Sequence, residues 1–333
     1  MKTMEVVLAR PIVDVPVTSD FQVRERDVPD RLDDGQLLVR VLYLSLDPYI
    51  GSVLRGRHMG ARAPAPGEPL PGECVAEVLR SSAPDFRPGD LVTGEVGWVE
   101  IGVLDAGKAR LVDRAAGVAA HLGVLGMPGL TAWAGVTQLA RVGAGDVFAV
   151  DAAAGAVGGT AGQIARLLGA RVIGIAGGPA KCALVRDVYG FDDCVDYRAP
   201  DWADRFAQAT GDGPTAYLEN VGTAVLDQVL ARVRVGARIV LCGMVDHYHG
   251  GPPAVLPVVP LITRRLHVHG LVVYDFLARR QEWLDIAIPW MREGRLRPVE
   301  DVADGLANAP AHFERLMRGH NQGKALVRVD AGA

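Results

Sequence analysis

Apolar residues between positions 147 and 175 form two short continuous runs with a helical segment between them. Val147–Val150 is the first run, a turn rich in Ala and Gly follows it, and Arg171–Ile175 begins soon after Gly169. Short continuous apolar runs are typical of strands that are buried on both faces of a parallel sheet. The stretch therefore predicts a strand, a helix that Gly169 ends, and a second strand parallel to the first.

The pattern differs on the two sides of this unit. Before about residue 120, alternating apolar and polar runs separated by Asp, Gly and Pro predict a β-rich region with few helices: Gln36–Leu44, Cys74–Arg80 and Asp90–Val99. From residue 121 onward, strands and helices alternate, as in a doubly wound parallel sheet. The predicted strands are Asp193–Tyr197, Ala216–Glu219, Arg238–Leu241 and Val268–Val273, and the predicted helices include Leu130–Leu139 and Ala224–Val233.

The end of the chain predicts one more helix, Ala309–Met317, and one more strand, Lys324–Val329. A single strand needs a sheet to pair with, and the β-rich N-terminal region is the natural host. We therefore expect an α/β protein in which one domain is discontinuous, with residues 1–121 and 297–333, and the other domain, residues 122–296, is inserted in it.

Small residues mark the turn between the first strand of the unit and its helix. Their spacing is Ala152-x-x-Gly155-x-x-Gly158, with Ala where a first Gly is usual. Glycine lets main-chain amides approach phosphate oxygens, and a helix N-terminus adds partial positive charge. Because the pattern lies between two strands and opens a helix, it predicts a dinucleotide-binding turn, with a purely structural glycine turn as the alternative.

The charge near the second strand predicts which dinucleotide is bound. NAD sites usually place Asp or Glu at the end of this strand, where it accepts from the ribose 2′-hydroxyl. Residues 152–186 contain no acidic residue, and Lys181 is the one basic group in the loop after Gly177 and Gly178. Since a lysine can neutralise a 2′-phosphate, we expect NADPH as the cofactor.

The composition of the chain limits the classes of partner that it can bind. The chain has 333 residues, of which 49% are hydrophobic and 22% charged, with a net charge of −4. We expect neither nucleic-acid binding nor a membrane span, because no basic surface and no apolar run of about 18 residues is present. The N-terminus lacks a signal-peptide pattern, and the widely spaced cysteines favour reduced thiols and a cytoplasmic protein: Cys74, Cys182, Cys194 and Cys242.

Metal chemistry is not expected. A structural zinc would need four closely spaced cysteines, and no two cysteines of the chain lie closer than Cys182 and Cys194. Two pairs of histidines have the spacing of neighbours on one face of a strand, but neither pair has a third clustered ligand: His247-x-His249 and His267-x-His269.

A series of motifs, in order along nearly the whole chain, resembles one family. They are Leu46-Asp47-Pro48-Tyr49, Met127–Trp133, Ala153–Gly158 with Gly162-Gln163, Glu219–Gly222, Cys242-Gly243, Tyr248, Gly270–Val273 and Asn321-x-Gly323-Lys324. The chain resembles zinc-independent medium-chain dehydrogenases/reductases, in the branch of leukotriene B4 12-hydroxydehydrogenase/prostaglandin reductases, plant 2-alkenal reductases and bacterial curcumin reductase. The resemblance implies a Rossmann-type doubly wound parallel sheet inserted in a β-rich, GroES-like catalytic domain.

The resemblance also implies roles for individual residues. The turn Gly155, Ala156, Val157 and Gly158 would hold the pyrophosphate, and Lys181 and Tyr197 would hold the 2′-phosphate. The other cofactor contacts would be Met127, Thr131, Asn220, Cys242, Gly243, Tyr248, Leu271, Val272, Val273 and Asn321. The alternatives are ordinary structural roles: a strand-end tyrosine at 197, turn residues at 220 and 321, and a surface lysine at 181.

NADPH without a metal suits hydride addition to the β-carbon of an α,β-unsaturated ketone or aldehyde. The resemblance implies that Tyr49 lies against the substrate, and that Tyr248 or solvent supplies the proton. The alternatives are that Tyr49 is a packing aromatic and that Tyr248 contacts only the cofactor. We therefore expect an NADPH-dependent enone or 2-alkenal reductase that forms a homodimer. A quinone oxidoreductase, a dedicated double-bond reductase of secondary metabolism and a non-catalytic NADPH-binding protein remain the alternatives.

Overall fold

The computed structural model describes residues 1–248 and 255–329. The strands are β1 (Lys2–Leu8), β2 (Phe21–Asp27), β3 (Gln36–Ser45), β4 (Glu73–Ser81), β5 (Leu91–Glu95), β6 (Ile101–Asp105), β7 (Arg110–Leu111), β8 (Val147–Val150), β9 (Arg171–Ala176), β10 (Asp193–Asp196), β11 (Ala216–Glu219), β12 (Arg238–Leu241), β13 (His267–Gly270), β14 (Glu300–Asp304) and β15 (Lys324–Arg328). The α-helices are α1 (Pro48–Val53), α2 (Met127–Trp133), α3 (Ala156–Leu167), α4 (Pro179–Ala183), α5 (Trp202–Thr210), α6 (Thr223–Leu230), α7 (Val245–Tyr248), α8 (Val258–Thr263), α9 (Arg280–Arg292) and α10 (Ala309–Met317).

The chain folds into two compact units. Among the described residues, one unit is formed mainly by residues 1–122 and 300–329, and the other by residues 123–247 and 255–299. In the second unit, strands pair in the order β10-β9-β8-β11-β12-β13, and every pairing is parallel. Its central strands are apolar because helices cover both faces of the sheet. The expected fold class, a doubly wound parallel sheet together with a β-rich N-terminal domain, is confirmed.

Two predicted elements of the second unit differ from the structure. The predicted strand Val268–Val273 is β13, which ends at Gly270, and a 3-10 helix occupies Val273–Arg279. The amide of Leu271 still donates to the carbonyl of Leu241, so pairing with β12 stops at this residue before the chain turns. The predicted helix Leu130–Leu139 begins earlier, as α2, and residues 134–139 continue it in π-helical geometry.

The first unit is built around antiparallel strands. Its larger sheet has the order β14-β15-β3-β4-β5-β7, with β6 on β3, and β1 pairs with β2. β15, from the end of the chain, lies antiparallel to β3. Phe21 stacks on Trp98, and Phe313 of α10 meets both rings edge-on, at centroid distances of 6.2 and 5.5 Å. The tail of the chain is therefore part of this core.

Across the two described stretches, no helix combines the length and the apolar content that a membrane span requires. All four cysteines are free thiols, and three of them are buried.

Candidate functional site

The turn after β8 lies where the strand order of the parallel sheet reverses. β9 pairs with one side of β8 and β11 with the other. Loops that leave the carboxyl ends of such strands diverge to opposite faces, and ligands bind in the crevice between them. The predicted glycine turn is therefore at the expected position for a bound nucleotide.

The backbone of this turn leaves no room for a side chain at Gly158. Ala152 has a φ of +43°, and Gly155 precedes α3 in extended conformation. A Cβ added at Gly158 would lie 2.6 Å from the carbonyl oxygen of Ala152. Residue 158 must therefore be glycine, because the main chain of the turn passes directly over it.

The start of α3 can accept an anion. No side chain caps this 12-residue helix, and its first turn contains no acidic residue. The first amides of a helix have no acceptor within the helix, so Ala156, Val157 and Gly158 can donate to an external ligand. Bare backbone and a helix N-terminus together suit a diphosphate. The residues predicted to hold the pyrophosphate thus fit that group.

Asp151 directly precedes the turn and is fully buried. Its Oδ1 accepts from the Asn220 amide at 2.7 Å, and its Oδ2 accepts from the Tyr217 hydroxyl at 2.9 Å and the Val221 amide at 3.2 Å. This carboxylate is therefore hydrogen-bonded to groups at the end of β11 rather than directed into the turn. Asp151 thereby joins the end of β8 to the end of β11.

Glu219 forms the second half of this buried cluster. Its Oε1 accepts from the amides of Val221 and Gly222, and its Oε2 is hydrogen-bonded to the Tyr217 hydroxyl. Burial, reinforced by the charge of Asp151, raises the pKa of Glu219 to about 9. Burial also raises the pKa of Asp151, to about 6, and hydrogen bonds from Tyr217 and Asn220 keep this rise smaller. The cluster therefore holds one proton on Glu219 and one negative charge on Asp151 at neutral pH.

The Cys242–Gly243 loop packs against Asn220. The amides of Cys242 and Gly243 both donate to the carbonyl of Glu219, and the amide of Val245 donates to the carbonyl of Asn220. A Cβ at Gly243 would lie 2.9 Å from that Asn220 oxygen. Burial raises the pKa of the Cys242 thiol to about 12, so it stays protonated and is no nucleophile at neutral pH.

The residues predicted to bind a 2′-phosphate surround the end of β9. Lys181 is half-buried on α4, and Tyr197 is exposed directly after β10. A Cβ added at Gly177 would lie 3.0 Å from the Tyr197 hydroxyl oxygen. The structure adds a cation that sequence reasoning missed, because Arg198 flanks the same glycine.

The other predicted cofactor contacts of this unit lie on α2 and after β13. Met127 opens α2, and the Thr131 hydroxyl donates back to the Met127 carbonyl at 2.7 Å. Leu271 is buried, and Val272 and Val273 lead into the 3-10 helix. The Thr131 hydroxyl proton is therefore engaged within α2.

In the first unit, two of the sequence motifs meet. The Lys324 ammonium donates to the Leu46 carbonyl at 2.7 Å and to Oδ1 of Asp47 at 3.0 Å. Asp47 directly precedes α1, on which the half-buried Tyr49 ring lies 5.2 Å from the His58 ring. Asn321 donates to the carbonyl of Gly323 at 2.9 Å, so its amide group stabilises its own loop.

Tyr248 is the last residue of α7, and its side chain lies outside the described residues, as does His249. His247 lies on this helix and not on a strand. His267 and His269 do alternate along β13. Within the described ranges, no three His, Cys, Asp or Glu side chains are grouped to hold a metal ion.

A parallel sheet with a bare glycine turn at its switch point, alongside a β-rich unit, is typical of dinucleotide-dependent oxidoreductases. Comparison with known families agrees. Residues 4–112 match the N-terminal domain of oxidoreductase family, and residues 156–293 match the zinc-binding dehydrogenase family.

Relatives that match over nearly their whole length show to which branch of these oxidoreductases the chain belongs. The NADPH-dependent curcumin reductase of Escherichia coli (strain K12) is 37% identical over 97% of this chain and 96% of its own length. The NADP(+)-dependent 2-alkenal reductase of Nicotiana tabacum is 35% identical over 98% and 97%. The crystal structure of CurA from Vibrio vulnificus in complex with NADPH, at 34% identity, covers 98% of this chain and 99% of its own, with a TM-score of 0.92. The chain belongs to the medium-chain dehydrogenase/reductase family, in the zinc-independent branch of curcumin, 2-alkenal and prostaglandin reductases.

Proposed function

We propose that this protein is an NADPH-dependent reductase of the carbon–carbon double bond of α,β-unsaturated ketones and aldehydes. The observation that carries the proposal is the bare turn after β8, where Gly158 has no space for a side chain and α3 begins uncapped. Relatives that match over almost the whole chain are an NADPH-dependent curcumin reductase and an NADP(+)-dependent 2-alkenal reductase, and both names point to unsaturated carbonyl compounds as substrates.

We assign residues 122–296, which contain the parallel sheet, as the cofactor-binding domain, and residues 1–121 and 297–333 as the catalytic domain. Amides of Gly155–Gly158 would bind the pyrophosphate, and Lys181 and Tyr197 the 2′-phosphate. The nicotinamide half would be lined by Met127, Thr131, Asn220, Cys242, Gly243, Tyr248, Leu271, Val272, Val273 and Asn321. NADPH, when bound, supplies the hydride that is added to the β-carbon of the substrate.

The protein's own groups would handle orientation and the proton. The Tyr49 ring would lie against the conjugated part of the substrate, and the Asp47–Lys324 ion pair would fix the loop that carries it. The Tyr248 hydroxyl would donate to the substrate oxygen as negative charge develops there, or would give a proton to the α-carbon. Because the Cys242 thiol stays protonated at neutral pH, covalent addition to the enone by this residue is not part of the reaction.

The direct test is NADPH oxidation with a panel of enals, enones and quinones, repeated with NADH and with a chelator. We expect conversion of an enone to its saturated ketone, with preference for NADPH and without sensitivity to the chelator. Turnover of quinones alone would favour the quinone oxidoreductase alternative. Tight NADPH binding with no acceptor turned over would instead indicate a non-catalytic NADPH-binding protein.

We further propose a homodimer that forms through the edge of the parallel sheet. β13 is the last strand of the sheet, and its residues are only partly buried. Residues on and just before α8 expose between 63% and 73% of their surface, although all are large and apolar: Val255, Val258, Val259 and Ile262. An unpaired edge strand beside an exposed apolar patch is a favourable surface for a second, symmetry-related copy.

Sedimentation velocity tests the dimer. Ile262→Asp places a charge in the apolar patch and should convert the dimer to a monomer. Val13→Asp introduces the same charge at an equally exposed valine of the other unit and should leave the dimer intact. A wild-type protein that sediments as a monomer at micromolar concentration contradicts this assembly.

A further inference from the structure

Arg198 lies at the end of β9, although it follows a different strand. Asp196 of β10 is opposite Ala176 of β9 in the parallel register, so the residues after both strands meet at one sheet edge. A Cβ added at Gly177 would lie 3.0 Å from Nε of Arg198 and 3.0 Å from the hydroxyl oxygen of Tyr197. The guanidinium and the phenol therefore flank the same stretch of main chain.

Hydrogen bonds to the backbone fix this arrangement. Oδ1 of Asp196 accepts from the amide of Gly178 at 2.8 Å and from the amide of Arg198 at 3.0 Å. Gly178 has a φ of +95°, which a residue with a side chain rarely adopts. The carboxylate thus joins the turn after β9 to the turn after β10. Its Oδ1 is engaged by main-chain donors rather than directed at a ribose hydroxyl.

The charge of Arg198 is available to an external anion. The guanidinium carbon lies 5.8 Å from the centroid of the Tyr197 ring, a cation–π contact that favours one conformation of the Arg198 side chain. By contrast, Arg205 of the same unit is paired with Asp201. In the part of the chain that the structure describes, no ion pair includes Arg198. A guanidinium offers a planar pair of donors that matches phosphate oxygens.

We propose that Arg198 binds the 2′-phosphate of the cofactor together with Lys181 and Tyr197, and that it is a specificity-determining residue for NADPH over NADH. This inference rests on the NADPH-dependent function proposed above. It differs from the expectation based on sequence, in which the lysine of the loop after β9 is the one cation. In the structure, the cation that contacts the strand end itself comes from the neighbouring strand.

Binding measurements test this role without turnover. Calorimetric titration with 2′,5′-ADP and with 5′-AMP reports the 2′-phosphate directly, and fluorescence titration compares NADPH with NADH. We expect Arg198→Gln to weaken 2′,5′-ADP and NADPH by about tenfold or more, while 5′-AMP and NADH change little. Arg198→Lys should recover only part of the loss, because an ammonium keeps the charge without the paired donors.

Arg171→Gln is the matched control, since Arg171 is also exposed and lies at the opposite end of β9. It should leave all four affinities unchanged. Arg198→Gln with unaltered affinity for 2′,5′-ADP, or with equal losses for 2′,5′-ADP and 5′-AMP, overturns the assignment. A wild-type protein that binds neither NADPH nor 2′,5′-ADP contradicts the proposed function itself, so the two failures can be distinguished.

Discussion

Replacing Glu219 with glutamine tests whether the buried cluster beneath the cofactor turn stores a proton. In the structure, Tyr217 lies between the two carboxyl groups, hydrogen-bonded to Oδ2 of Asp151 and to Oε2 of Glu219. A protonated Glu219 donates to the phenol oxygen, and the phenol donates to ionised Asp151. The side-chain amide of glutamine can make the same donation, so Glu219→Gln imitates the protonated state.

The magnitude follows from the pKa of the glutamate. Burial and the charge of Asp151 raise this pKa from 4.5 to about 9, so folding takes up a proton between these two pH values. The stability that depends on protonated Glu219 is fully present below pH 4.5 and is lost as the pH rises toward 9. For a single group with this shift, the free energy of unfolding falls by at most on the order of 4 kcal/mol between pH 5 and pH 8. Glutamine cannot ionise, so it removes this dependence.

Denaturant unfolding near pH 5.5, 7 and 8.5, at fixed protein concentration, measures the effect. We expect wild-type stability to fall with pH across this range and the Glu219→Gln protein to show a much flatter profile. Glu95→Gln, at an exposed glutamate of the other unit, should follow the wild type. Parallel profiles for wild type and Glu219→Gln would falsify the assignment of the proton to Glu219.

Three further substitutions test other parts of the site. Lys181→Ala should weaken NADPH by about 1.5–3 kcal/mol and NADH far less, because a charge-assisted bond to the 2′-phosphate is lost; equal losses in fluorescence titration would contradict this role. Tyr248→Phe should lower kcat while NADPH affinity holds, and an unchanged kcat would assign the proton to solvent. Lys324→Met should destabilise the protein by about 3–5 kcal/mol in thermal unfolding, since it leaves the Asp47 carboxylate buried without its counter-charge. A Tm within a degree or two of the wild-type value would show that Asp47 is stable without the ammonium.

The sequence predicted the parallel sheet well because its strands are short apolar runs bounded by turns. β11 and β12 have the predicted bounds, Ala216–Glu219 and Arg238–Leu241. It did not predict β1 or β2; β2, Phe21–Asp27, ends in four consecutive charged residues and has no continuous apolar face. Pairing between distant strands, here residues 2–8 with 21–27, compensates for a weak local pattern.

Site residues that belong to a local motif could be predicted from the sequence. Residues that reach the site only through the order of the strands could not. The turn at Gly155–Gly158 is visible in sequence because bare backbone requires small residues at fixed spacing. Arg198 is 21 residues beyond Gly177 in sequence and reaches it only because β10 pairs with β9 in parallel register. Its one sequence signal was that it follows Tyr197 at the end of a predicted strand.

An aspartate directly before a phosphate-binding turn is unexpected on electrostatic grounds, and the cluster explains why it is tolerated. Ala152, the next residue, has a φ of +43°, which costs a residue with a side chain about 1 kcal/mol or more. Asp151 holds the chain at this point, because its carboxylate and its carbonyl are both hydrogen-bonded to Asn220 after β11. Since Glu219 keeps its proton, a single negative charge lies beneath the turn, and main-chain amides and the Tyr217 hydroxyl surround it. The same carboxylate that could repel a phosphate therefore fixes the strained backbone of the turn that we propose binds it.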